Sequence, residues 1–428
     1  MTESLSDEWG RATDKLCKLY EVWSAGGAGL LITGNVQVDR RYIERPGNVC
    51  IDGPQDEEQL RRLKAYARAG QSSGSKIFVQ LGHAGRQSNG MINMQPVGPG
   101  NVRLDMPAFA FGNPRALEVE ELMDVKDRFV HAAKVCQEAG FDGVQIHSAH
   151  GYLLSSFLNP LANNRPELFG EEDKYGGELA NRARLLLEVV HAVREAVGPS
   201  FPISVKLNSA DFQQGGFSPA EAVQVSTMLE RQGHIDLLEI SGGNYESGIF
   251  EEAAQREKER AGQRASTVKR EAYFLEYAIE IKKALKATPV MVTGGWRAKQ
   301  FMEQAISNGE CSLIGLGRPL CGDPYGPKKL LEGSVDSLPR YEKNLMTLHW
   351  SLQWVYMLPF KMLQLLQFMG MQAWYYINIY SLAETGKPDV DAGCFASLIK
   401  NYNHEKHLAV NTKGDVQCRG SEYKGPSV

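Results

Sequence analysis

"VQIHSAHGYLLSSFLNP", residues 144–160, sets how the rest of the chain is read. An apolar alternating run ends in small and polar residues. Two histidines three apart, His147 and His150, close it, and Tyr152 stands just beyond. A short apolar run of this kind, bounded by polar residues, reads as a buried parallel strand whose far end is free for chemistry.

Similar runs recur along the chain: "GLLITGNVQV" (29–38), "KIFVQLG" (76–82), "GVQIHSA" (143–149), "PISVKLN" (202–208), "DLLEISGG" (236–243), "PVMVTGG" (289–295) and "CSLIGLGR" (311–318). Amphipathic stretches separate them. Leu122, Val125, Phe129, Ala132 and Cys136, for example, share one helical face. Strand and helix alternating without hairpin signals predicts repeated βα units. Seven strands are found, yet a helical pattern (Leu16, Leu19, Tyr20, Trp23) already precedes the first. A closed (β/α)8 barrel needs eight. The expected fold is therefore an α/β (β/α)8 TIM barrel lacking its first strand: either that strand lies upstream of Met1, which is favoured, or the barrel is naturally open. A doubly wound sheet is the rival, but no G-x-G-x-x-G follows an early strand.

The 428 residues carry a net charge of −4, which gives no basic footprint for nucleic acid. Seven scattered cysteines without a C-x-x-C pair argue against a zinc ribbon or iron–sulfur cluster and suit a reducing compartment. The acidic start "MTESLSDEWGRATD" resembles no targeting signal, so a cytoplasmic enzyme is expected. The barrel is assigned to residues 1–340 and an apolar helical extension with a polar tail to 341–428. Within the extension, 344–380 is strongly apolar. Residues 362–380 would be just long enough to span a bilayer, but Gln364, Gln367, Gln372 and Asn378 interrupt them and no basic cluster flanks them. Packing on the barrel, or on a second copy in a homo-oligomer, is therefore favoured over membrane-surface contact, with a true span third.

Active sites of such barrels lie at the C-terminal strand ends. That rule selects Gly34, Gln80, His147, His150, Tyr152 and Lys206, then Gly294 and Gly295 in "TGGW" and Gly317 and Arg318 in "GLGRP". Glycine turns after the last two strands, with an arginine at the second, suit a phosphate. For the histidine pair three readings stand. Zinc would need a third ligand, and none of His83, His131, His191 or His234 is placed at a strand end. The imidazoles could merely cap a turn. Or they could donate two hydrogen bonds to one ligand oxygen, with Tyr152 as proton donor. Lys206 adds positive charge and Gln80 a mixed donor–acceptor edge, in outline a pocket for flavin mononucleotide.

Four longer motifs, "FVQLGHAGR" (78–86), "AGFDGVQIHSAHGYLLSSFLNPLANNR" (139–165), "KYGGELANRAR" (174–184) and "LIGLGRPLCGDP" (313–324), together resemble the old yellow enzyme family of FMN-dependent ene-reductases. The resemblance covers roughly residues 1–340. It implies an FMN-binding (β/α)8 barrel using NAD(P)H as reductant and an α,β-unsaturated carbonyl compound, such as a small-molecule enone, as acceptor. It further implies that Gln80 and Lys206 contact the flavin ring, that Gly34 and Thr2 lie beside it, and that Gly294, Gly295, Gly317 and Arg318 hold its phosphate. His147 and His150 would grip the substrate carbonyl and Tyr152 would protonate the α-carbon. The H-x-x-H form resembles the bacterial and fungal branch. No metal is implied. Three departures are visible: the upstream strand, the insertion "PELFGEED" (166–173) and the extension beyond 340. The absent strand leaves an alternative, a flavin-poor barrel acting as a binding or scaffold protein. The iron–sulfur dehydrogenase relatives are disfavoured, because no cysteine run follows the barrel.

Overall fold

The computed structural model describes residues 2–106, 110–244, 272, 274–345 and 360–411. Among the described residues there are ten strands: β1 (Leu30–Ile32), β2 (Val36–Gln37), β3 (Lys76–Gly82), β4 (Val97–Gly98), β5 (Arg115–Ala116), β6 (Gly143–Ser148), β7 (Ile203–Asn208), β8 (Leu237–Ser241), β9 (Val290–Thr293) and β10 (Leu313–Gly315). Eight of them form one parallel sheet in the order β1-β3-β6-β7-β8-β9-β10, with β2 also on β3, while β4 and β5 pair separately. All seven runs read from the sequence are strands of this sheet. Among the described residues β1 and β10 do not pair with each other, so the barrel is open between them.

The run 29–38 is two strands rather than one. Leu30–Ile32 pairs with residues 76–78 of β3, and Val36–Gln37 with residues 81–82. Between them Thr33 offers its hydroxyl to the Gln80 N–H at 2.9 Å, which replaces a ladder bond. The Gly34 N–H turns away to Glu3 at 2.7 Å.

Parallel strands need helical crossovers, and the local chemistry supplies them. Pro219–Gln232 begins with Ser218 and Glu221 capping each other's backbone N–H groups, has proline in its first turn, and stops at Gly233 in the left-handed region (φ 68°). Val119–Glu138 buries Leu122, Val125, Phe129, Ala132 and Cys136, the stripe expected of it. These helices cover the outer faces of the strands, where Val144, Ile146, Val205, Leu207, Leu238, Ile240, Val290 and Val292 are fully buried.

Two features bridge the opening. The first helix (Asp14–Ala25) leads into β1, and its Trp23 indole donates to the Leu320 carbonyl at 3.1 Å in the short helix Pro319–Gly322 after β10. The Lys328 N–H reaches the Gly26 carbonyl at 2.9 Å. The long helix Phe360–Thr385 touches both the first helix and Pro319–Gly322, with Trp374 fully buried and its ring 5.0 Å from that of Tyr341. The last helix, Cys394–Asn411, adds an Asn401 acceptor for the Tyr380 hydroxyl at 3.1 Å. The described part of the extension thus packs on the barrel. Among the described residues no helix is long and apolar enough to cross a membrane. Of the apolar stretch 344–380, residues 346–359 lie outside the described residues.

The insertion 166–173 is folded back by Arg165, whose fully buried guanidinium pairs with Asp173 at 2.8 Å and donates to the Leu117 carbonyl at 2.6 Å. Phe169 stacks on it at 4.3 Å.

Candidate active site

Successive side chains on a strand alternate between its faces, so a polar residue at every second position lines the inside. Register then aligns them across strands. Gln80 of β3 faces Gln145 of β6, which faces Ser204 of β7. One level nearer the C-terminal mouth, His147 faces Lys206 and Lys206 faces Glu239 of β8. One level further, Asn208 faces Ser241.

These rows are wired together. Gln80 donates to the Gln145 carbonyl oxygen at 2.6 Å, and Gln145 donates to Glu239 at 2.7 Å. Glu239 pairs with Lys206 at 2.9 Å, both side chains buried. Burial alone would raise the Glu239 carboxyl, but the adjacent Lys206 ammonium outweighs it and holds the group below the usual carboxylate range. Lys206 is therefore a fixed cation on the floor of the mouth. The side-chain oxygen of Gln80 is buried and has no hydrogen-bond partner among the described residues. An orphaned acceptor at such a place costs stability unless a ligand donor meets it.

Above this floor stand the histidines. Their ring centroids are 5.3 Å apart, edge to face, and the Tyr152 ring lies 4.9 Å from His147. The Ala149 N–H donates to His147 Nδ1 at 3.3 Å, so Nε2 carries the ring proton. His150 sits in the left-handed region at φ 63°. Its N–H goes to Asn208 Oδ1 at 3.1 Å, its carbonyl accepts from Gln87 at 3.0 Å, and its Nε2 meets Ser241 Oγ at 2.9 Å. Both imidazoles are pushed well below their ordinary value. Burial is the first cause for each, followed for His147 by His150 and Lys206 and for His150 by Lys206. Two neutral imidazoles over a cation can donate hydrogen bonds to an oxygen and are not poised as general acids.

Of the remaining sequence-selected residues, Gly294 and Gly295 have φ of 136° and 84°, conformations that favour glycine. Thr293 pairs with Gly315, which sets the turn at Gly294 and Gly295 beside Gly317 and Arg318 on the next strand end. Thr2 and Gly34 lie at the β1 rim, both held by the protein itself. The Thr2 hydroxyl donates to Glu44, and the Gly34 N–H donates to Glu3 and to the Tyr20 hydroxyl. The placement of His83 is a correction: it directly follows β3, at a strand end. There its Nδ1 accepts the Gly85 N–H at 3.0 Å and its Nε2 lies 3.8 Å from Asp39, so it is turned towards that buried carboxylate. Sequence reading missed Glu3, Gln87, Gln145, Asn208, Glu239 and Ser241. The alternation in "VQIHS", "SVKLN" and "LLEIS" carried four of them.

A parallel-stranded barrel with a fixed cation, an unpaired amide oxygen and two neutral imidazoles at its C-terminal face defines a cofactor-dependent barrel enzyme. Residues 1–336 match the NADH:flavin oxidoreductase / NADH oxidase family model. The NADH-dependent flavin oxidoreductase iliE of Hypocrea jecorina (strain QM6a) is 33% identical over 348 residues, 77% of this chain and 83% of that one. The NADH-dependent flavin oxidoreductase nadA of Aspergillus parasiticus is 34% identical over 341 residues, 78% of this chain and 72% of the other. The old yellow enzyme homologue from Zymomonas mobilis shares the fold, with a TM-score of 0.62 at 23% identity over 79% of this chain and 88% of that one. The chain belongs to the NADH:flavin oxidoreductase / NADH oxidase family, that of the old yellow enzymes, and with it to the NAD(P)H-dependent flavin oxidoreductases.

Proposed function

We propose that the protein is an FMN-dependent ene-reductase of the H-x-x-H branch, acting on the C=C bond of an α,β-unsaturated carbonyl compound. The observation that carries the reading is the pair of neutral imidazoles, His147 and His150, set beside Tyr152 above the Lys206 cation. The residues fit FMN. Gln80, with its unpaired buried oxygen, and Lys206 would hold the ring, with Thr2 and Gly34 beside it. Gly294, Gly295, Gly317 and Arg318 would hold the phosphate. When bound, FMN supplies hydride transfer from NAD(P)H to the β-carbon of the alkene.

The protein's share is polarisation and protonation. His147 and His150 donate to the substrate carbonyl oxygen and stabilise the negative charge that develops there. Tyr152 delivers the proton to the α-carbon. Lys206, paired with Glu239 at 2.9 Å, places positive charge under the ring.

The test is a pair of variants. His147→Ala with His150→Ala should abolish binding of a phenolate probe such as 4-hydroxybenzaldehyde while FMN stays bound, read from its visible spectrum. Loss of FMN together with the probe would overturn the assignment. Tyr152→Phe should slow enone reduction at least tenfold and leave flavin reduction by NAD(P)H unchanged in stopped flow. Equal slowing of both half-reactions would remove Tyr152 as the proton donor.

A further inference from the structure

An imidazole can donate to a ligand through only one nitrogen while it is neutral, and which nitrogen depends on what the other one meets. For His147 the backbone decides, because the Ala149 N–H occupies Nδ1. For His150 no backbone group among the described residues reaches the ring. Its Nε2 instead meets the hydroxyl of Ser241, the last residue of β8, at 2.9 Å.

A hydroxyl can donate or accept, so the surroundings must choose. Ser241 is buried, at 6% exposure, whereas His150, just past the C-terminal end of β6, is half-buried. If His150 Nε2–H donated to Ser241, the serine proton would be left in a buried place without an acceptor among the described residues, at a cost comparable to a lost hydrogen bond. If the serine donates to Nε2 instead, the ring proton moves to Nδ1, where a ligand oxygen or water can take it. The second arrangement leaves no buried donor unpaired.

We propose that Ser241 is a positioning residue that fixes His150 as the Nδ1–H tautomer, so that His150 and His147 donate to one oxygen through different ring nitrogens. This deepens the reading given under Proposed function and rests on it for the identity of the ligand. The backbone of His150 is set by neighbours of the same serine. Asn208, its register partner on β7, takes the His150 N–H, and Gln87 holds the His150 carbonyl, which stabilises the left-handed φ. Among the described residues Ser241 is the hydrogen-bond partner of the ring itself. An isolated imidazole has no such constraint, so removing the hydroxyl frees the proton to move to Nε2.

The experiment is nitrogen NMR of the full chain with histidines labelled in the ring, assigned through His150→Gln and His147→Gln. In the parent protein His150 should show a protonated Nδ1 and a bare Nε2, and His147 the reverse. Ser241→Ala should shift His150 towards Nε2–H and leave His147 unchanged. Ser241→Thr, which keeps the hydroxyl, should restore the parent pattern. The 4-hydroxybenzaldehyde probe should bind about tenfold more weakly to Ser241→Ala and near normally to Ser241→Thr, as expected for one hydrogen bond of ordinary strength. A parent spectrum with protonated His150 Nε2 would overturn the proposal even if Ser241→Ala fails to fold. So would a His150 signal indifferent to Ser241→Ala. If the tautomers are as stated but the probe binds none of the proteins, the enone reading fails and the tautomer assignment stands.

Discussion

His147 lies at 2% exposure, with a cation one strand away and a second imidazole beside it. Each of these disfavours its charged form, so folding holds it neutral where an unfolded chain would begin to bind a proton near its ordinary value. The sign follows from linkage. Below about pH 6.5 the unfolded state takes up more protons than the folded one, and stability falls as pH falls, by up to about 1.4 kcal/mol per pH unit for each such histidine. Above that pH the contribution is fully present. Urea midpoints measured from pH 8 to pH 5 should therefore fall steadily below pH 6.5. In His147→Gln with His150→Gln the decline should be shallower, and an unchanged slope would place the proton uptake elsewhere.

At the scale of the strands, the interior is a ladder of polar groups from Gln80 through Gln145 and Glu239 to Lys206. Removing one member of a buried ion pair leaves the other charge uncompensated, which typically costs about 3–5 kcal/mol. Glu239→Gln should lower the unfolding free energy by about that much. Lys206→Met added to Glu239→Gln should recover most of it, as measured by urea titration of both variants. Additive losses would mean that the two side chains do not act as a pair. The strands themselves were legible in the sequence, because runs such as "ISVKLN" and "VMVTGG" keep an apolar outer face whatever lines the inside. His147, His150, Lys206 and Gln80 stood out because a polar residue in an apolar run asks for a reason. Glu239 asked the same question in "DLLEISGG", but its answer is a register partner on β7, and register is a tertiary fact. The split at Thr33–Asn35 was hidden for a similar reason. A threonine hydroxyl that replaces a ladder bond leaves no mark on hydropathy.

For the molecule as a whole, the opening between β1 and β10 was legible as a count, seven strands where a closed barrel has eight. What spans it was not, because Trp23, Gly26, Leu320 and Lys328 are ordinary helix-end and turn residues until the fold brings them together. Gly26 shows how tight that meeting is. A β-carbon there would come within 2.0 Å of the Pro324 carbonyl oxygen, a backbone atom that cannot rotate aside. Gly26→Ala should speed hydrogen exchange in residues 30–32 and 313–315 while leaving 143–148 and 203–208 protected, read by mass spectrometry. Uniform loss of protection would mean that the two edges are not a separate unit. The rest of the wall is joined strand to strand by continuous ladders, but here it is latched by a few bonds between loops and helix ends and by the packing of helix Phe360–Thr385 across them. A latch can be released without unpicking the fabric on either side of it. Under heat or denaturant the protein should therefore yield first as a hinge, with its central strands still in register, and the pocket should lose its side wall before it loses its floor.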